Sequence, residues 1–167
     1  MTTMTADPIA PLTPAAKRVA ARLIYGATNA AIAAHLYLSV HGVKSQLQAA
    51  RRHVGCPPGA SRAVLVHTLL TARHVDPPAC RRPAPRLSEN EQRLLHALTR
   101  HSRNTDIGAA IGVSARDVRA DIDFLLAKAC ADNTAHLVGL AHTWKLLGGP
   151  AQEKGPTEQA AATGAAQ

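Results

Sequence analysis

The chain has 167 residues, a formal net charge of +8, 46% apolar residues and only 2% aromatic ones. So many Ala, Leu and Val residues with so few aromatics suit small helical bundles rather than β-sandwiches. No run of about 18 apolar residues marks a membrane span. The start MTTMTADPIAPL lacks a basic region followed by an apolar run, so a cytoplasmic protein is expected.

In chain order, residues 1–10 read as a flexible N-terminus. Thr13 is placed to cap a first helix that opens on Pro14, with Val19 and Leu23 on one face. A short second helix is expected near 29–36 and a third after Ser39, whose buried stripe is Val43, Leu47, Ala50 and Val54. A fourth near 60–73 closes a domain of 11–75. DPPACRRPAPR, residues 76–86, cannot continue a helix and reads as a linker.

A shift of 75 places lays a second copy, 87–147, on the first without a gap. Leu12 meets Leu87, Leu23 meets Leu98, Ile32 meets Ile107, Val43 meets Val118 and Leu47 meets Ile122. Ser88 and Glu91 form a capping box, Ser114 starts the third helix of this copy, and a fourth is expected near 135–147. The tail from 148 to 167 has no long aliphatic residue and reads as disordered. The expected fold is therefore all-α, two small helix-turn-helix bundles of about four helices each, joined by a Pro/Arg-rich linker.

The pairing of the second and third helices carries the functional signal. After Ile32 and Ile107 stand Ala33 and Gly108, small enough to let the third helix approach the second. Gly112 takes the turn between them, where Tyr37 stands in copy one. Residues 12–75 resemble the LuxR/NarL-type helix-turn-helix domain of bacterial transcription regulators, on Leu12-Thr13, Val19, Gly26, Thr28-Asn29, Ile32-Ala33, Leu36, Ser39, Val43-Lys44 and Gly55. Copy two is similar but more divergent, with His101 and Cys130 in place of two family glycines. The resemblance implies a third helix that enters the major groove and a fourth that serves dimerisation.

Charge separates the two copies. From Pro8 to Val75 there is no Asp or Glu, against Lys17, Arg18, Arg22, Lys44, Arg51, Arg52, Arg62 and Arg73, whereas from Leu87 to Leu147 cations and carboxylates balance. The stripe leaves His41, Lys44, Ser45, Gln48, Arg51 and Arg52 outward in copy one. Lys44 and Gln48 suit base edges, and the arginines, Arg62 included, with Thr28 and Asn29 suit phosphates near helix ends. In copy two Arg116 and Arg119 are the candidate DNA contacts, on a face they share with Asp117, Asp121 and Asp123. Phe124 and Leu126 lie off the stripe and, with Trp144, read as a protein-contact surface.

The nine histidines sit in different helices with no carboxylate or cysteine at ligand spacing, and the three cysteines form no pair, so no metal, cofactor or catalytic site is expected. The expectation is a nucleoid-associated transcription regulator that binds double-stranded DNA through copy one, with copy two adding a weaker DNA contact or a protein-interaction or dimerisation surface. A homodimer through the fourth helices and a second protein through copy two are the further partners. The alternatives are a protein-binding adaptor or anti-activator that keeps the fold, and a sequence-tolerant architectural or plasmid- or phage-maintenance DNA binder.

Overall fold

In the computed structural model, which describes residues 11–147, the chain is all-α: eight helices and, among the described residues, no strand. The first half holds α1 (Pro14–Leu23), α2 (Asn29–Leu36), α3 (Val40–His53) and α4 (Arg62–Thr71). The second holds α5 (Glu89–Arg100), α6 (Asn104–Ile111), α7 (Ala115–Ala129) and α8 (Thr134–Thr143). Segments 1–10 and 148–167, expected to be flexible or disordered, lie outside the described residues.

Local chemistry sets the helix ends. The Thr13, Thr28, Ser39, Ser61 and Ser114 hydroxyls each accept an amide from the first turn of the following helix, and the Asn133 side chain does so for α8. Each such cap contributes about 1 kcal/mol. Ser88 and Glu91 complete the expected capping box. Helix α6 has no side-chain cap; its first turn is held instead by Arg103, whose Nε and Nη2 donate to Asp106 at 2.9 and 3.3 Å.

The turn between α2 and α3 passes through Tyr37 at φ 55°, and its counterpart through Gly112 at φ 79°. Left-handed backbone is easy for glycine and costs other residues about 1 kcal/mol. Tyr37 bears that cost while 96% exposed, with no burial in return. The small residue expected in α6 is required: a Cβ on Gly108 would stand 2.5 Å from the Val113 carbonyl oxygen. In the first half Ala33 fits the same place at 5% exposure.

Two apolar cores form, one per half, and the fourth helices join them. Val43, Leu47 and Ala50 bury the inner stripe of α3; Val118, Ile122, Leu125 and Ala129 bury that of α7. Ala135 and Val138 of α8 enter the first core, whereas Leu137 and Ala141 belong to the second. Helices α4 and α8 pack along each other more extensively than any other two helices. His67 Nδ1 lies 3.0 Å from His142 Nε2, and these residues are 75 apart, the repeat offset. Equivalent residue meeting equivalent residue is the mark of a two-fold contact, here between halves of one chain. The ends of the pair are tied across as well: Asn133 Nδ2 donates to the Gly26 carbonyl at 2.8 Å, and the Ser61 amide donates to Ser102 Oγ at 2.9 Å.

This arrangement corrects one expectation. The fourth helices, read as a dimerisation surface between chains, are paired within the chain, where Leu65, Val66, Leu69, Leu70, Leu137, Val138, Leu140 and Ala141 are buried. The proline-rich connection also packs instead of hanging free. Pro78 is buried and its carbonyl accepts the Thr143 hydroxyl at 2.6 Å. The Arg82 carbonyl accepts Trp144 Nε1 at 3.0 Å, and the Ala79 amide donates to the Tyr25 hydroxyl at 3.4 Å.

Candidate nucleic-acid interface

Helix α3 buries one stripe and therefore projects the rest. His41, Lys44, Ser45, Gln48 and Arg52 are all exposed. Arg51 is not free in the same way: it is half-buried, and its Nε donates to the Ala60 carbonyl at 3.3 Å, tying the end of α3 to the approach to α4. Lys44 and Arg52 sit on α3 without a carboxylate on the same helix.

A second group gathers at the start of α2. Thr28 Oγ1 accepts the Ala31 amide at 3.2 Å, and Asn29 Oδ1 accepts Arg62 Nη2 at 2.7 Å. The first turn of α4 thus carries a guanidinium to the positive end of α2, residues 33 positions apart in sequence. A guanidinium has five N–H donors, so the bond to Asn29 leaves it able to hold an anion beside the helix end. Sequence spacing named both residues as phosphate contacts; their direct pairing comes from the fold.

The first half is not wholly clear of carboxylates in space. Asp132 and His136 of the second half stand against the turn at Gly26, and His136 Nδ1 is 3.1 Å from Asp132 Oδ2.

On α7 the same surface has different chemistry. Arg116 and Arg119 are exposed, as are Asp117, Asp121 and Asp123. Arg119 Nε lies 3.5 Å from Asp123 Oδ2, and Asp117 Oδ2 accepts the Ser114 hydroxyl at 2.6 Å. Beside this face runs an open groove of about 420 Å³ lined by Leu94, Ile111, Val113 and Phe124 with Glu91 and Asp121 at its polar edge. Lys128 donates to both Glu91 carboxylate oxygens at 3.0 and 2.7 Å. That bond, followed by the one from the Ser88 amide, holds the Glu91 carboxyl below its usual range.

The three residues read as a protein-contact surface are not one surface. Phe124 is 64% exposed at the groove. Leu126 and Trp144 pack against the second core, and Trp144 spends its indole N–H on the linker carbonyl of Arg82. An apolar side chain two residues along a helix from an exposed one points elsewhere, which is why Phe124 and Leu126 separate.

Sequence reasoning passed over His67 and His142 as scattered histidines, although the 75-residue offset already matched them. Burial, then the nearby His96 and Arg100, holds His67 below the ordinary histidine value; burial and His67 lower His142 to about 4. The pair is neutral and hydrogen-bonded at neutral pH. Among the described residues no group of three or more His, Cys, Asp or Glu side chains is placed to hold a metal ion, and no helix is long and apolar enough to cross a membrane. Compared with protein-family models, with curated proteins and with solved structures, the chain matches none of them.

Proposed function

We propose that the chain is a DNA-binding transcription regulator whose α3 lies in the major groove, with phosphates held by Arg52 and by the Thr28, Asn29 and Arg62 group. The observation that carries this reading is the exposed face of α3, with His41, Lys44, Ser45, Gln48 and Arg52 outward on a half whose own sequence supplies no carboxylate from Pro8 to Val75. Lys44 and Gln48 have the donors and reach that base edges require, and the cations supply the sequence-independent part of the affinity. Neutralising four to six phosphates gives a slope of log affinity against log salt of about −4 to −5.

Binding of genomic DNA fragments at several salt concentrations, followed by footprinting of those retained, tests this. Discrete footprints with the stated slope support a regulator in the LuxR/NarL manner. Uniform coating points to an architectural DNA binder. No binding at physiological salt overturns the proposal.

The second reading, a protein-binding adaptor, is favoured by the groove beside Phe124, whose apolar lining and exposed ring are of the kind partner surfaces use. In the leading reading this groove belongs to the half that contributes least to DNA affinity.

A further inference from the structure

A dimer that reads DNA symmetrically needs two equal reading helices and a surface through which two chains meet. Here the two halves already meet at a two-fold-like contact inside one chain. His67 faces His142 at the repeat offset, and loop-to-helix ties cross in both directions, from Asn133 to Gly26 and from Ser61 to Ser102. The apolar side chains of α4 and α8 are taken up by the two cores and the contact that joins them: Leu65, Val66, Leu69, Leu137, Val138 and Leu140 are each at most 2% exposed. No comparable fourth-helix face remains for a second copy.

The two reading helices are unequal. Helix α3 has cations and neutral polar groups outward, while α7 sets Asp117, Asp121 and Asp123 around its two arginines and engages Arg119 with Asp123. Carboxylates facing a phosphate backbone oppose binding by like-charge repulsion in a region where neighbouring charges are weakly screened. A second, inverted half-site would therefore gain nothing from α7.

From this we propose that a single chain is the complete DNA-binding unit and that its ligand is an asymmetric duplex site, engaged by α3 on one flank and left unread under α7 on the other. The proposal rests on the DNA reading above and adds stoichiometry and site symmetry to it.

The full chain is tested by sedimentation alone and with a short duplex carrying the strongest genomic footprint, together with base substitution across that duplex. The expected result is a monomer in solution and one chain per duplex, with substitutions on one flank weakening binding about tenfold or more and those on the other less than about twofold. Two chains per duplex with equal sensitivity on both flanks overturns the proposal while leaving DNA reading intact. A monomer that binds no duplex overturns the DNA reading, and the asymmetric site with it. The exposed double variant Asp121→Asn/Asp123→Asn supplies the independent arm: removing two carboxylates and releasing Arg119 is expected to tighten binding about three- to tenfold at low salt and to extend protection over the second flank. Unchanged affinity and unchanged protection would overturn the proposal that the second flank lies unread under α7.

Discussion

His67 and His142 face each other at 3.0 Å where α4 crosses α8, one ring nitrogen donating and the other accepting. Protonating either places a cation against its partner, with His96 and Arg100 of α5 adding to the repulsion at His67. Because His142 is lowered from 6.5 to about 4 in the folded chain, the unfolded chain binds the proton more readily. Stability is then fully present above about pH 6.5 and falls as pH drops toward 4. Each unit of lowering corresponds to about 1.4 kcal/mol, reduced for a half-exposed pair, which leaves about 1–2 kcal/mol in total. Melting temperatures from pH 7.5 to 4 should show this loss, and His142→Gln should flatten it. An equally steep profile in that variant would move the effect to other groups.

Lys44→Ala should weaken binding to a footprinted duplex about tenfold at 0.1 M salt, whereas Arg119→Ala, already engaged by Asp123, should change it less than about twofold. Both side chains are exposed, so melting temperatures should stay within the change expected for about 0.5 kcal/mol. Equal losses of affinity in the two variants would contradict the unequal roles of α3 and α7.

The bond from Arg62 to Asn29 joins α4 to α2 and should contribute about 1.5–3 kcal/mol, as hydrogen bonds to charged groups do. Asn29→Ala should lower stability by that order in denaturant titration. Arg62→Ala should do so too and also make the salt slope less steep by about 1. A stability loss with an unchanged slope would confine Arg62 to holding the fold.

Backbone conformation makes a paired prediction about the two turns. Tyr37→Gly should raise stability by about 0.5–1 kcal/mol, since a 96% exposed ring at φ 55° contributes strain and no packing. Gly108→Ala should lower it by about 1–3 kcal/mol, because the new methyl would meet the Val113 carbonyl at 2.5 Å, with no flexible side chain to yield. Thermal melts of the two variants shifting in the same direction would refute this account.

How legible each feature was depended on whether its cause is local. Thr13, Ser39, Ser88 and Ser114 were readable as caps because a cap is a short-range bond, and the α3 stripe was readable because period 3.6 is written in Val43, Leu47 and Ala50. The exposed residues of α3 follow from the same stripe. Arg51 was read as outward because periodicity cannot see the Ala60 carbonyl that it reaches. The joining of α4 to α8 was also out of view, because an apolar face names no partner and pairing within a chain or between chains looks alike in sequence. The partner of the Trp144 indole was out of view for a related reason: its acceptor is a backbone carbonyl at Arg82, which no side-chain pattern reveals.

The seated linker has a consequence for how the two halves can diverge. With Pro78 and Arg82 fastened to Thr143 and Trp144, each half meets its neighbour at a fixed effective concentration, on the order of millimolar or more, that does not fall with dilution. Two free subunits would have to keep enough affinity to find each other at cellular levels, and every change would be made in both at once. A tethered pair is released from both requirements. The second half can accumulate carboxylates, replace glycine by Cys130 and leave Phe124 in water while still supporting the first.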